Sequence, residues 1–225
     1  GQILSHDNQL IPAAIWIKDD KIYAIGEQFE EADFEQVIDA KNQFVCQGLV
    51  DVHVHFREPG FTYKETIKTG SQAAARGGFT TVCAMPNLDP VPDSVENFLK
   101  IQQLIEKDAV VHVKQYASIT EELRSDVLVD QKALRQVGAF AFTNDGVGVQ
   151  SAGTMYQAMK EAAENDVSIV AHTEDESLLF GGVMHEGKRS KELGLPGILS
   201  ITESSQIARD LLLAEATGVH YHICH

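Results

Sequence analysis

In DVHVHFREPG, residues 51–60, apolar and polar side chains alternate up to a proline and a glycine. Such alternation predicts a β-strand. A strand of this kind opens two folds, the doubly wound open sheet and the closed (β/α) barrel. The doubly wound sheet usually places a G-x-G-x-x-G phosphate loop after its first strand, and no such motif follows here. The stretch therefore favours the barrel.

Beyond residue 60, short apolar segments rich in β-branched residues alternate with segments of helical spacing. This order predicts parallel strands joined by crossover helices, an α/β fold. Further strands are predicted at 79–87, 110–118, 139–145, 167–175 and 219–225. A complete (β/α)8 barrel of the TIM type takes about 250 residues. We therefore expect an incomplete barrel of about six strands over residues 47–225, truncated after strand six.

Helix boundaries and a hairpin can also be read from the chain. Thr62 and Glu65 form a candidate capping box, Ser94 is a candidate N-cap, and Gly218 is a candidate helix stop. Near the N-terminus, residues 13–26 predict two short strands around the polar turn KDDK.

Composition excludes several functional classes. The chain has 225 residues, 44% of them hydrophobic and 23% charged, as in ordinary globular proteins. Its net charge of −15 argues against nucleic-acid binding, which needs a basic face. Apolar runs are too short for a membrane helix, and the N-terminus lacks the pattern of a signal peptide. With three cysteines and no C-x-x-C pair, we expect a cytoplasmic protein.

Two histidines and an arginine share one face of the first barrel strand. His53, His55 and Arg57 have the same parity, so their side chains are expected to project the same way. Two imidazoles on one rigid strand suit a divalent metal such as zinc. The alternative is a pair of core or surface histidines without a metal.

Polar residues also occur near the carboxyl ends of the later strands, where (β/α) barrels place their active sites. They are Asn87, Asp145, His172 and His225. Taken singly, each has a structural explanation as a loop opener, helix cap or hydrogen-bonded core histidine. In the last strand, alternation sets His225 opposite His220 and His222, and parity leaves open which set faces the barrel interior.

Taken together, these motifs resemble the bacterial type I dihydroorotases of the cyclic amidohydrolase superfamily. The matching segments are GLVDVHVHFREPGFTYKE (48–65), AMPN (84–87), FTNDG (142–146), AHTED (171–175) and HYHICH (220–225). The resemblance implies a metallo-dependent hydrolase barrel, with residues 1–46 as the N-terminal part of a small β-sandwich. It also implies two Zn²⁺ ions. His53 and His55 would bind one, and His172 and His225 the other.

The same resemblance assigns roles to the remaining site residues. Asp145 would bridge the two ions as a catalytic carboxylate, where hydantoinases use a carboxylated lysine. Arg57 and Asn87, with His55, would bind the substrate. The implied reaction is the reversible cyclisation of N-carbamoyl-L-aspartate to L-dihydroorotate in pyrimidine biosynthesis. The family's general acid and base, an aspartate after strand eight, lies outside this sequence, so we expect these residues alone to be inactive.

Two other functions stay open at this point. One is another cyclic amidohydrolase, of the allantoinase or hydantoinase type, and the other is a catalytically silent homologue that acts as a scaffold. The expected partner is a small-molecule substrate, with no nucleic acid and no membrane. A homodimer and an association with aspartate carbamoyltransferase also stay open.

Overall fold

The structure is a computed structural model that describes residues 1–26 and 34–225. The chain divides into two compact units, Gly1–Gly48 and Leu49–His225. The sequence places this boundary between residues 46 and 47. That the first unit is part of a β-sandwich stays a prediction.

The described part of the first unit consists of short strands. They are β1 (Gln2–Leu4), β2 (Leu10–Pro12), β3 (Ala14–Lys18), β4 (Lys21–Gly26) and β5 (Phe44–Val45). β1 pairs with β2 in antiparallel and with β5 in parallel orientation. β3 and β4 form the hairpin predicted around KDDK. Asp19 and Asp20 at its tip have φ values of 49° and 62°, as a tight hairpin turn requires.

The second unit alternates strands and helices. Its strands are β6 (Leu49–Val54), β7 (Phe79–Ala84), β8 (His112–Gln115), β9 (Ile169–Ala171), β10 (Met184–His185), β11 (Gly197–Ile198) and β12 (Tyr221–Ile223). Its helices are α1 (Ile67–Arg76), α2 (Val95–Asp108), α3 (Gln131–Gln136), α4 (Ala152–Glu164), α5 (Lys188–Leu193) and α6 (Ile201–Thr217). None of the helices within the two described ranges has the length and apolarity needed to cross a bilayer.

Six parallel segments follow one another across the sheet in chain order. β6, β7 and β8 pair in parallel, and so do β9 and β12. Phe142 joins the two groups, because it bridges Ala117, two residues beyond β8, and Ile169 in β9. This order confirms the predicted parallel α/β arrangement of an incomplete (β/α)8 barrel.

The predicted strand at 139–145 is wrong in extent. Backbone hydrogen bonds to the neighbouring strands involve only Phe140 to Thr143, so this segment forms single bridges rather than a ladder. It ends early because the side chain of Asn144 binds the 119–123 loop and Gly146 takes a φ of 86°.

Helix α1 begins later than the sequence predicts. The proposed pair Thr62 and Glu65 is wrong, because the N-cap is Thr66 and its capping-box partner is Thr69. Glu65 instead accepts hydrogen bonds from the Thr66 N–H and the Thr69 hydroxyl. The turn Phe61–Lys64 precedes them, and its backbone bond delays the helix.

The other two helix boundaries are confirmed. Ser94 caps α2 by accepting a hydrogen bond from the Asn97 N–H. Gly218 ends α6 in the left-handed conformation, with φ 72°.

The strands separate two apolar regions. Val82 and Ala84 of β7 pack on the helix side, whereas Cys83 between them faces the opposite side. The residues on that inner side come from five of the six parallel segments. They are Cys83, Met85, Tyr116, Ala141, Val170 and Cys224. Packing on both faces fixes the strands, and the ends of the strands carry the site described next.

Candidate metal centre

Five side chains with metal-binding atoms lie at the carboxyl ends of the parallel segments. They are His53, His55, Asp145, His172 and His225. Each is within three residues of the end of a strand or of the Phe142 bridge. Because parallel strands end at the same edge of the sheet, residues distant in sequence converge there.

The carboxylate of Asp145 lies at the centre of the cluster. Its Oδ1 is 3.3 Å from His225 Nε2, 3.5 Å from His53 Nε2 and 3.6 Å from His172 Nδ1. Its Oδ2 is 3.5 Å from His55 Nε2. The two carboxylate oxygens therefore face different histidines.

These separations fit a metal centre. Ligand atoms bound tetrahedrally at about 2.0–2.2 Å from an ion lie about 3.3–3.6 Å from one another. The nitrogens of His172 and His225 are also 3.4 Å apart. A single carboxylate oxygen facing three imidazoles at these distances lies beyond ordinary hydrogen-bond lengths. His53, Asp145 and His225 each place a ligand atom within 4.8 Å of the others. Nitrogen and carboxylate ligands suit a divalent ion such as zinc.

The electrostatics of the cluster favour the protonation states that metal ligands need. Burial opposes ionisation of Asp145, but the nearby imidazoles of His172, His53, His225 and His55 lower its pKa to about 2. Burial lowers the pKa of His53. Burial, followed by the positive charge of Arg57, lowers the pKa of His55. An anionic carboxylate, with the lowered pKa values of His53 and His55 beside it, suits the binding of a cation.

The ring of His172 is held between two carboxylates. Its Nδ1 faces Asp145, and its Nε2 is 3.7 Å from Glu174 Oε2. The nearby carboxylate of Asp145 raises the pKa of His172. A carboxylate on the far nitrogen is the usual orienting partner of a metal-bound imidazole. Sequence reasoning missed Glu174, although an acidic residue two positions after His172 was a usable signal.

The side chain of Asn144 fixes the backbone beside Asp145. Its Oδ1 accepts hydrogen bonds from the N–H groups of Ile119, at 2.9 Å, and Thr120, at 3.2 Å. Its Nδ2 donates to Thr120 Oγ1 at 2.7 Å and to the Leu123 carbonyl at 2.9 Å. Both the donor and the acceptor capacity of this buried amide are used. Sequence reasoning missed this role, since partners more than twenty residues away leave no local signal.

Two predicted substrate residues, Arg57 and Asn87, lie beside the cluster. The expectation that Arg57 continues the strand face of His53 and His55 is wrong, because β6 ends at Val54 and Arg57 has a φ of 61°. Asn87 Nδ2 donates to the backbone carbonyl of Asp145. Its Oδ1 is buried, with no hydrogen-bond partner among residues 1–26 and 34–225.

His225 reaches the cluster by a route that alternation did not predict. β12 ends at Ile223, and Cys224 turns into the inner apolar cluster. Tyr221 packs on the helix side, where its hydroxyl donates to Asp210. The alternation that set His225 opposite His220 and His222 does not apply, because the strand ends at Ile223 before His225.

Comparison with known proteins places this arrangement in a family. The profile of the family described as Dihydro-orotase-like matches residues 42–225. The chain belongs to the dihydro-orotase-like family. The dihydroorotase of Enterococcus faecalis is 73% identical over 225 residues, which cover 100% of this chain and 53% of the relative. The dihydroorotase of Ligilactobacillus salivarius is 64% identical over 219 residues, covering 96% and 51%.

This dihydro-orotase-like chain spans about half the length of the curated relatives it matches. Among solved structures, the L-hydantoinase (dihydropyrimidinase) from Arthrobacter aurescens superposes with a TM-score of 0.78 at 25% identity. The match covers 99% of this chain and 51% of that chain. The family consists of metal-dependent amidohydrolases with a TIM-barrel fold, in agreement with the parallel strands and the donor set described above.

Proposed function

We propose that the complete protein is a zinc-dependent dihydroorotase, which interconverts N-carbamoyl-L-aspartate and L-dihydroorotate in pyrimidine biosynthesis. The observation that carries this proposal is the buried carboxylate of Asp145 between four imidazoles at the strand ends. The named relatives at 73% and 64% identity support the choice of substrate.

The proposed cofactor is a pair of Zn²⁺ ions held by His53, His55, Asp145, His172 and His225. Zinc would supply a water of lowered pKa and would polarise the amide carbonyl of the substrate. Asp145 suits the bridging role because each of its oxygens faces a different histidine. Although burial opposes its ionisation, the surrounding histidines keep this carboxylate ionised near neutral pH.

Arg57 and Asn87, with His55, are the proposed substrate-binding residues. A guanidinium presents two N–H groups in a fork that matches a carboxylate. Asn87 uses one N–H on the carbonyl of Asp145, which leaves its second N–H for a carboxylate oxygen. Arg57 and the proposed Zn²⁺ ions supply positive charge at the site itself. A chain with a net charge of −15 is therefore still able to bind a dianion there.

A second candidate is a cyclic amidohydrolase of the hydantoinase type. The structural similarity to L-hydantoinase favours it. Asp145, at the position where hydantoinases carry a carboxylated lysine, argues for dihydroorotase instead. The silent scaffold is the weaker alternative, since the ligand set is complete at all five positions.

The cellular setting is also part of the proposal. We place the protein in the cytoplasm, as a homodimer that associates with aspartate carbamoyltransferase. Sedimentation of the complete protein, alone and mixed with that enzyme, tests both associations.

A panel of cyclic amides tests the proposed activity. The complete protein, loaded with Zn²⁺, is assayed with L-dihydroorotate, hydantoin and allantoin, before and after treatment with a chelator. We expect hydrolysis of dihydroorotate that is lost with the metal and restored by Zn²⁺. Hydrolysis of hydantoin or allantoin without dihydroorotate would overturn the substrate assignment. No hydrolysis of any of the three would favour the scaffold.

A further inference from the structure

Arg209 of α6 holds the loop that follows Asp145. Its Nη1 donates to the Gln150 carbonyl and its Nη2 to the Val149 carbonyl, both at 2.7 Å. These two bonds use the guanidinium fork on consecutive backbone carbonyls, four and five residues after Asp145. The loop between Asp145 and these carbonyls contains Gly146 and Gly148, both with positive φ. Because glycine is conformationally permissive, contacts with other parts of the protein are needed to fix the conformation of this loop.

The third nitrogen of Arg209 connects it to the strand that leads to His225. Its Nε donates to Asp210 Oδ1 at 2.7 Å. Asp210 is completely buried, and its Oδ2 accepts a hydrogen bond from the Tyr221 hydroxyl at 2.8 Å. Tyr221 is the first residue of β12, four residues before His225. A buried carboxylate with both oxygens engaged fixes α6 against this strand.

Gln150 connects the same loop to the segment after His172. Its Nε2 donates to the Glu174 carbonyl at 2.9 Å, and its Oε1 accepts from the Glu176 N–H at 3.0 Å. Gln206, one turn before Arg209 on α6, donates to the His172 carbonyl at 3.4 Å. Helix α6 therefore contacts the segments that carry Asp145, His172 and His225.

We propose that Arg209 is a positioning residue for the metal centre, which acts by holding these three ligand-bearing segments in register. The inference rests on the proposed function only in that the cluster binds a divalent metal. Arg209 itself lies outside the ligand set. Its effect is expected in metal affinity and coordination geometry, because a shift of any of the three segments displaces a ligand. Loss of a group bonded directly to a metal ligand typically lowers affinity by about 10–100-fold, and we expect Arg209 to act at the lower end of that range.

Binding of Co²⁺ to the complete protein tests the proposal, with visible absorption reporting the coordination geometry. Arg209→Lys keeps a positive charge near Asp210 but loses the fork on the two carbonyls. We expect Co²⁺ affinity to fall about tenfold or more, with a changed absorption spectrum. Leu213→Ala is the matched control, since it truncates a core side chain of the same helix without removing any hydrogen bond to these loops.

The Co²⁺ affinities of the two variants test the role of Arg209. The proposal is overturned if folded Arg209→Lys binds Co²⁺ like the wild type, or if Leu213→Ala loses affinity equally. If Arg209→Lys does not fold, Gln150→Leu replaces it, because Gln150 is exposed and joins two of the loops. Unchanged binding by Gln150→Leu would then overturn the claim, on which the proposal rests, that contacts of this loop hold the ligand-bearing segments in register. A wild-type protein that binds no Co²⁺ overturns the proposed function and this inference together.

Discussion

The carboxylate of Asp145 is buried and ionised, a combination that is costly unless polar or positive groups surround it. Four imidazoles fulfil that condition. All four could be named from the sequence, because each lies near the carboxyl end of a predicted strand and the resemblance to the dihydroorotases assigned them as ligands. The contacting atoms could not be predicted. His172 presents Nδ1 and the other three histidines present Nε2, a choice made by ring orientation. The role of Asn144 was not predicted, because its partners are more than twenty residues away in the sequence.

Arg57→Lys tests the substrate site at the scale of one residue. Lysine keeps the charge but replaces the fork with a point donor, so one charge-assisted hydrogen bond to the substrate is lost. Such a bond contributes about 1.5–3 kcal/mol. We expect KM for dihydroorotate to rise about tenfold or more, with metal content unchanged, in steady-state assays of the complete protein. An unaltered KM would move the carboxylate site elsewhere.

The three cysteines are expected to differ in reactivity. Cys46 is exposed, whereas Cys83 and Cys224 are buried. Burial raises the pKa of Cys83 to about 11, so this thiol stays neutral and unreactive at pH 8. Alkylation of the folded protein at pH 8, mapped by mass spectrometry, should modify Cys46 first, and denaturant should expose the other two. Rapid modification of Cys83 in the folded state would contradict this account.

For helices and strands, local sequence patterns predicted where each element lies better than they predicted where it begins and ends. Ser94 begins α2 through its own side chain, and Gly218 ends α6 through its own backbone conformation. Both helix boundaries were therefore predictable from the sequence. The start of α1 was not, because Thr62 and Thr66 both fit an N-cap and the turn Phe61–Lys64 decides between them. The segment around Phe142 reads as a full strand, yet Asn144 ends it to hold a distant loop.

Gly218→Ala tests the end of α6. A Cβ at this position meets no atom within 4 Å, so the cost is the left-handed backbone alone, with φ 72°. We expect a loss of about 1 kcal/mol in the free energy of unfolding, measured by urea titration. Gly153→Ala in α4 is the control and should be neutral or stabilising by up to about 1 kcal/mol, since its added Cβ makes only an ordinary contact. Equal effects of the two changes would contradict the backbone explanation.

At the scale of the whole molecule, the order of six parallel segments followed from alternation of strands and helices. That order brings residues from position 53 to position 225 to one edge of the sheet. Sequence could predict this convergence, because connections between parallel strands are regular. The sequence could not predict the hydrogen bonds by which α6 holds the segments that carry Asp145, His172 and His225. The hydrogen bonds of Arg209 end on backbone carbonyls, which carry no sequence signal.

The most direct test of the central claim is the zinc content of the complete protein, measured by elemental analysis for the wild type and Asp145→Ala. Asp126→Ala, which removes a surface carboxylate bonded to Thr154, is the matched control. We expect two zinc ions per chain in the wild type and in Asp126→Ala, and fewer than two in Asp145→Ala. Two full equivalents in Asp145→Ala, or none in the wild type, would contradict a metal centre built around Asp145.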